Sequence, residues 1–209
     1  MPRVVAVDYS LTKTGLAVIT QKANGDCIAN ALKIEHKWPS TKLARSRAGL
    51  PEKAPLAERR KRFLAGAREV WQAGALDAAT LVVMMAPLTS AKGQGPQRHD
   101  YLAGWWAIVG RCARLGVPVA TAPDVTVKKA ITGDGRADKA AVSSAMTKLY
   151  PHLEITSDDV SDAAAAAHLG AGAIGWDVHV LARYREVKWA EWPFELGDPF
   201  PALRGMAAA

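Results

Sequence analysis

Short apolar runs alternate along the chain with longer segments in which apolar residues recur at helical spacing. The short runs predict buried strands over residues 4–7, 16–19, 28–34, 81–85 and 117–120. The longer segments predict helices over 56–71, 99–115, 125–132 and 138–149, and a final helix that starts near Ser161. A polar turn separates the first two strands, which predicts a hairpin.

The order of these elements predicts the fold class. A hairpin and a third strand are followed by helices that alternate with single strands, which is typical of an α/β fold with a mixed central sheet flanked by helices. Residues 1–185 are expected to form one domain, because no internal repeat or clear linker interrupts them. Residues 186–209 are rich in proline and aromatic residues, and this tail is expected to pack on the body or on a second subunit.

The charge balance indicates a polyanionic partner. The 209 residues include 27 lysines and arginines against 20 aspartates and glutamates, which gives a formal net charge of +7. Phosphate groups attract such side chains and release counterions when they are bound. Nucleic acid is therefore a candidate partner, although many basic proteins bind none.

The cysteines and the start of the chain predict an intracellular protein. Cys27 and Cys112 are far apart and lack metal-ligand spacing, which favours two reduced thiols. Met1 is followed almost directly by the first strand, so no signal peptide is expected. The alanine-rich stretch 163–182 contains polar residues and little leucine or isoleucine, so no membrane contact is expected either.

Three aspartates stand where a metal site could form. Asp8 ends the first strand, where its side chain can point into a cleft, and Asp159 and Asp162 lie three residues apart near the start of the last helix. Carboxylates that share an apolar site repel one another unless they share a cation, and Mg²⁺ prefers such oxygen ligands. The alternative is that Asp158, Asp159 and Asp162 cap the helix, and that Asp8 satisfies a turn.

Three segments together resemble one known family. The first is Val4-Val5-Ala6-Val7-Asp8 with the hairpin turn that follows, and the last is Asp159-Val160-Ser161-Asp162-Ala163. The most specific segment lies between them and reads V-K-K-A-I-T-G-D-G-R-A-D-K from Val127 to Lys139. In this order they resemble the RuvC-type Holliday junction resolvases, which have an RNase H-like fold. The resemblance covers roughly residues 3–182, and the stretch 92–106 is more similar to the members carried by bacteriophages.

The resemblance implies a structure-selective endonuclease of DNA recombination and repair that cuts branched DNA. Asp8, Asp159 and Asp162 would hold two Mg²⁺ ions, with Mn²⁺ as a substitute, and two such ions can hydrolyse a phosphodiester. Lys128 and Lys139 would contact the scissile phosphate, since a point charge suits its developing charge. The partners implied are four-way DNA junctions and a second copy of the chain in a homodimer. The compartment would be the cytoplasm, that of a bacterial host cell if the protein is encoded by a phage.

The sequence departs from the family at one catalytic position. The family has a glutamate at the end of the strand that reads V-V-x, and here that strand ends at Met85. A thioether is a soft, weak ligand that cannot replace a carboxylate for Mg²⁺. No acid occurs anywhere from residue 79 to residue 91, so a shifted register does not supply one. Cleavage is therefore expected to be weak or absent, whether the change is natural or engineered.

Further DNA contacts are expected from basic residues outside the metal site, and the resemblance implies in addition an apolar wedge such as Leu88. The candidates are Lys13, Arg59, Arg62, Leu88, Lys92, Arg98, Lys129 and Arg136, together with Arg45, Arg47 and Lys53 in the loop 38–54. The run 59–62 is equally consistent with a solvated helix face. Trp105 and Trp106 are expected to pack in the core or at a dimer interface.

Three alternatives stay open. The chain could be a non-catalytic protein that binds branched DNA, which Met85 favours. It could be another RNase H-like nuclease that acts on flaps, forks or RNA–DNA hybrids. A relative of actin or the sugar kinases would share the opening strand and hairpin, but the chain lacks a second glycine-rich phosphate turn and the necessary length.

Overall fold

The structure is a computed structural model, and it describes residues 1–36, 55–87 and 98–203, apart from the side chain of Ala202. Five predicted DNA contacts, namely Arg45, Arg47, Lys53, Leu88 and Lys92, lie outside the described residues.

One mixed sheet forms the centre of the described structure. Its strands are β1 (Arg3–Asp8), β2 (Lys13–Gln21), β3 (Cys27–Glu35), β4 (Leu81–Met85) and β5 (Val119–Ala122), in the spatial order β3-β2-β1-β4-β5. The first three strands pair antiparallel, whereas β4 and β5 run parallel to β1. This confirms the predicted hairpin and the predicted α/β class with a mixed sheet. Strand β5 begins two residues later than predicted, and this shift matters for the site.

Helices cover both faces of the sheet. They are α1 (Leu56–Gly74), α2 (Arg98–Arg114), α3 (Asp124–Thr132), α4 (Lys139–Leu149) and α5 (Asp158–Ala173). Alternate residues of β1 point to opposite faces, so Val4 and Ala6 pack in one core and Val5 and Val7 in the other. The first core includes residues of α3, α4 and α5, and the second includes residues of α1 and α2.

Helix α5 is buried all round, which explains its alanine-rich sequence. Every residue from Val160 to Ala173 is buried, and small side chains let the helix lie close to the sheet. A Cβ on Gly170 would come 2.6 Å from the Val83 side chain, so a larger residue there would push the helix away. None of the described helices is both long and apolar enough to span a membrane.

The described part of the tail packs against the same body. Thr121 of β5 exchanges backbone hydrogen bonds with the segment at Glu191, and the Phe200 N–H donates to Ala173 O at 2.8 Å. Trp189 and Trp192 pack against the core around α5. The segment therefore covers part of β5, which is an edge strand that would otherwise expose unpaired backbone groups.

Candidate active site

The sheet brings the predicted acidic and basic residues to one edge. Because β1, β4 and β5 are parallel, their carboxyl ends meet there, and the helices that follow begin beside them. A cleft of about 510 Å³ lies at this edge. Its charged lining residues are Asp8, Arg98, Asp124, Lys128, Lys139, Asp159 and Asp162, and Met85, Tyr9 and Tyr101 line it as well. Residues from six separated segments of the sequence therefore share one site.

A glycine lets the last helix approach Asp8. Gly15 is the β2 residue paired with Asp8, and a Cβ built on it would lie 1.8 Å from the carbonyl oxygen of Asp159. Any other residue at position 15 would therefore push the start of α5 away from the strand. The close approach places Asp159, and one helical turn later Asp162, on the Asp8 side of the cleft.

The start of α5 is capped by a residue that the sequence analysis did not name. The Ser157 hydroxyl accepts a hydrogen bond from the Val160 N–H, and Asp158 pairs instead with Lys139. The N-cap is therefore Ser157 and not an aspartate, although Asp158 and Asp159 lie in the first turn, where the helix dipole favours acids. Asp159 and Asp162 are left to face the cleft.

Burial and mutual repulsion make the cleft unfavourable for negative charge. Burial, followed by the charges of Asp162, Asp159 and Asp124, raises the pKa of Asp8 to about 7. Burial also raises the pKa of Asp162 to about 6, with Asp124 as the next largest cause. Carboxylates that raise one another's pKa in this way are stabilised by a bound cation.

The donors fit a divalent metal in their chemistry. Carboxylate oxygens are the ligands that Mg²⁺ and Mn²⁺ prefer, and four carboxylates line the cleft. Among the residues that the structure describes, no three carboxylate, imidazole or thiol groups are yet close enough to hold one ion. The side chains would have to draw together around the metal.

The two predicted lysines both line the cleft, each paired with an aspartate. Lys128 Nζ donates to Asp124 Oδ2 at 2.7 Å, and Lys139 Nζ donates to Asp158 Oδ2 at 2.9 Å. These hydrogen bonds raise the pKa of both ammonium groups, so both stay charged at neutral pH. Each can therefore offer a fixed positive charge to a phosphate at the mouth of the cleft.

Met85 lies beside Asp8 in the sheet. The pairing of Val7 with Met84 makes Asp8 and Met85 neighbours at the ends of adjacent parallel strands. Met85 is only 5% exposed, and the buried Trp105 donates from Nε1 to its carbonyl oxygen at 2.9 Å. The position is thus firmly held at the edge of the sheet where the cleft lies, but its side chain is apolar.

The predicted arginine contacts differ in their surroundings. Arg62 is buried and pairs with the buried Asp100 at 2.9 Å, and Arg59 pairs with the same carboxylate at 2.7 Å. These ion pairs join α1 to α2. Arg62 is therefore neither part of a solvated helix face nor free to contact DNA. Arg98, in contrast, lines the cleft.

Three other basic residues predicted to bind DNA lie outside the cleft lining. Lys13 starts β2 and Arg136 precedes α4, and both are exposed. Lys129 is exposed as well and pairs with Glu186 at 2.7 Å. All three are accessible to a phosphate backbone.

The sequence comparison identifies the family. The chain is 30% identical over 170 residues to the crossover junction endodeoxyribonuclease RuvC of Azorhizobium caulinodans. The aligned segment covers 80% of this chain and 88% of that protein. It belongs to the RuvC family. The RuvC protein of Frankia casuarinae is 44% identical over a shorter segment of 86 residues, which covers 40% of this chain and 46% of that protein. No protein-family model matches the chain.

Solved RuvC structures share the fold. The Thermus thermophilus RuvC structure has a TM-score of 0.55 at 19% identity and covers 86% of this chain and 99% of that chain. The same protein in complex with a Holliday junction substrate has a TM-score of 0.51 at 20% identity, covering 80% of this chain and 91% of that chain. These likenesses confirm the RNase H-like fold predicted from the RuvC resemblance.

One RuvC-cleft residue was missed by the sequence analysis. Asp124 begins α3 and lines the cleft beside Lys128. The sequence contained a signal for Asp124, because an acid that follows a strand and a single proline lies at the carboxyl end of the sheet. The strand was predicted over 117–120, whereas β5 ends at Ala122, so Asp124 did not appear to follow a strand end.

Proposed function

We propose that this RuvC-family protein is a Holliday junction resolvase, which binds four-way DNA junctions and cuts them by metal-dependent phosphodiester hydrolysis in the bacterial cytoplasm. The observation that carries the proposal is the meeting of Asp8, Asp159, Asp162, Lys128 and Lys139 in one cleft. The RuvC family depends on a divalent metal. Its relatives named above are crossover junction endodeoxyribonucleases.

Each cleft residue has a role that its surroundings support. Asp8, Asp159 and Asp162 would hold two Mg²⁺ ions, for which Mn²⁺ could substitute. Such ions lower the pKa of bound water and stabilise the leaving oxygen. Lys128 and Lys139 would bind the scissile phosphate and stabilise the charge that develops on it.

Basic residues around the cleft would position the DNA. Arg98 lines the cleft, and we propose that it contacts a phosphate next to the one that is cut. Lys13, Lys129 and Arg136 are exposed, so they would contact the backbone farther along the junction arms. We assign Arg62 to the α1–α2 ion pair instead.

The full chain is expected to prefer a four-way junction to linear duplex. Binding of fluorescent junction, fork, RNA–DNA hybrid and duplex is measured in Ca²⁺, and cutting is then followed in Mg²⁺ and in Mn²⁺. We expect at least about tenfold tighter binding to the junction than to the duplex. Lys139→Ala should weaken binding, whereas Lys148→Ala, on the opposite end of α4, should not.

Equal affinity for junction and duplex would reject the resolvase proposal, and preference for fork or hybrid would favour another RNase H-like nuclease. A second candidate function is favoured by Met85, namely junction binding without cutting. It would be supported if the junction is bound selectively but stays intact in both metals, and if it stays intact when Met85 is replaced by glutamate.

We also propose that the active form is a homodimer, because a four-way junction has approximate two-fold symmetry. An apolar face on α1 and α2 supports this. Trp106 is 61% exposed and Leu64 is 42% exposed, and both border a cavity that also contains Trp71. Large exposed apolar side chains that cluster in this way are typical of protein interfaces.

Trp106→Lys is expected to convert the dimer into a monomer, because it places a charge at the centre of this face. Light scattering coupled to size-exclusion chromatography measures the mass. Phe194→Lys is the matched control, since Phe194 is also an exposed aromatic residue, at 91%, but lies in the tail. A wild-type protein that is already monomeric at micromolar concentration, or a dimer that survives Trp106→Lys, would contradict the proposed interface.

A further inference from the structure

The cleft contains a fourth carboxylate that the family resemblance does not account for. Asp124 is the first residue of α3, and it lines the same cleft as Asp8, Asp159 and Asp162. It reaches this place because β5 ends at Ala122 and a single proline separates that strand from the helix. A fourth acid is therefore supplied by the segment after β5.

The position of Asp124 is close to the one that lacks an acid. Met85 of β4 pairs directly with Ala122 of β5, so Asp124 stands two residues beyond the strand neighbour of Met85. Without Asp124, the cleft would offer three carboxylates to a metal centre at this edge of the sheet. With it, the cleft offers four oxygen-bearing side chains of the kind that Mg²⁺ prefers.

The contacts of Asp124 leave it able to bind a cation. Lys128 Nζ takes one of its two oxygens, Oδ2, and the Asp124 side chain is 37% exposed. Among the described residues, Lys128 is the one partner with which the Asp124 carboxylate forms a hydrogen bond or an ion pair. Ion pairs between partly exposed residues four apart on a helix contribute little free energy. A doubly charged ion can therefore compete with the lysine for the carboxylate.

We infer that Asp124 is the fourth carboxylate ligand of the metal centre and takes the place of the acid that β4 lacks at Met85. This inference rests on the proposed function and adds a ligand to its site. When Asp124 turns to the metal, Lys128 is released from its ion pair and becomes free to bind a phosphate in the cleft. The alternative is that Asp124 acts only by holding Lys128 in place.

Metal binding by the full chain without DNA tests the inference. Free Mn²⁺ is followed by electron paramagnetic resonance during titration of the wild type, Asp124→Asn, Met85→Glu and the double variant. We expect Asp124→Asn to weaken Mn²⁺ binding by roughly tenfold or more, because the site loses a charged ligand. Met85→Glu should restore the affinity of Asp124→Asn to within about threefold of the wild type.

The control is Asp158→Asn, which also removes an acid paired with a cleft lysine, Lys139, but from outside the cleft lining. It should change Mn²⁺ affinity by less than about threefold. The inference is overturned if Asp124→Asn weakens binding no more than this control does. It is equally overturned if Met85→Glu fails to restore the affinity, since Asp124 would then act through Lys128.

The outcome is separable from that of the proposed function. The readout is Mn²⁺ affinity, and it involves neither junction binding nor cutting. A protein that shows the expected pattern but does not prefer four-way junctions would keep the metal ligand and lose the resolvase assignment. Thermal unfolding of each variant verifies folding. Because the Asp124 side chain is 37% exposed, its replacement should leave the melting temperature within about 2 °C of the wild-type value.

Discussion

Asp8→Asn is expected to abolish metal-dependent cutting and, in the same protein, to raise thermal stability. Loss of a carboxylate ligand should slow cleavage by roughly 10³-fold or more, since the metal supplies several kcal/mol of transition-state stabilisation. Stability should rise because the neutral amide removes a carboxylate that burial and three neighbouring acids disfavour. A gain in stability at the cost of activity is typical of residues placed for function.

The pH dependence gives the sign of the stability effect. The pKa of Asp8 is about 7 in the folded protein and 3.8 in the unfolded reference, so the folded state holds a proton that the unfolded state releases between these values. The free energy of unfolding of the wild type therefore falls as pH rises from about 4 to about 7. The difference between the two pKa values corresponds to a decrease of at most about 4 kcal/mol in the free energy of unfolding, at 1.36 kcal/mol per pH unit.

Calorimetric melting in EDTA at pH 5 and pH 8 measures the effect. At pH 8 we expect Asp8→Asn to melt about 5–10 °C above the wild type. This difference in melting temperature should become smaller at pH 5, where Asp8 is largely protonated. Added Mg²⁺ should also narrow it, because the ion stabilises only the wild-type site. The control is Asp77→Asn, on an exposed residue before β4, which should change neither melting nor cutting. A wild type that melts above Asp8→Asn at pH 8 without metal would contradict the repulsion argument.

Met85→Glu is expected to produce the largest gain in activity. The new carboxylate would stand beside Asp8 at the end of the adjacent strand, where it adds a hard ligand to the metal centre. We expect junction cleavage to rise by roughly 10–100-fold at saturating Mg²⁺. Without metal the variant should lose about 2–4 kcal/mol of stability, because an unpaired charge enters a position that is 5% exposed.

Met85→Gln separates the effect of charge from that of shape. Glutamine has the size of glutamate but offers no charged ligand, so it should not accelerate cutting and should not respond to Mg²⁺ in melting experiments. Single-turnover cleavage of a fluorescent junction and calorimetric melting are the two measurements. Equal cleavage by the glutamate and glutamine variants would show that position 85 does not contact the metal. A faster Gln variant would point to an effect of polarity alone.

The sequence predicted the strands better than the boundaries that place side chains in the cleft. The run 81–85 matches β4 in full, because five consecutive apolar residues flanked by Thr80 and Ala86-Pro87 leave little choice of register. Strand β5 was predicted two residues early, since Val117 and Pro118 continue the apolar pattern, whereas the residues paired with β4 begin at Val119. Because of that small error Asp124 was not predicted to lie in the cleft, since that prediction requires β5 to end just before it.

Long-range ion pairs were beyond the reach of the local pattern. Arg59 and Arg62 look like a basic helix face in the sequence, but Asp100, which lies some forty residues away, forms an ion pair with each of them. The pairing arises only when α1 packs on α2, which brings the acid beneath the two guanidinium groups. A basic run can therefore be a contact between helices as easily as a DNA-binding surface.

The sequence by itself determined the α/β class, the hairpin, the family resemblance and the chemical types in the site, because these depend on periodicity and on short motifs. It also determined that β4 ends in Met85 and carries no acid. The tertiary structure decided which acids meet. Parallel strands bring their carboxyl ends to one edge, Gly15 lets the start of α5 approach Asp8, and the end of β5 delivers Asp124 to the same cleft. Burial and repulsion act only after these distant segments converge, so the raised pKa values of Asp8 and Asp162 are properties of the fold.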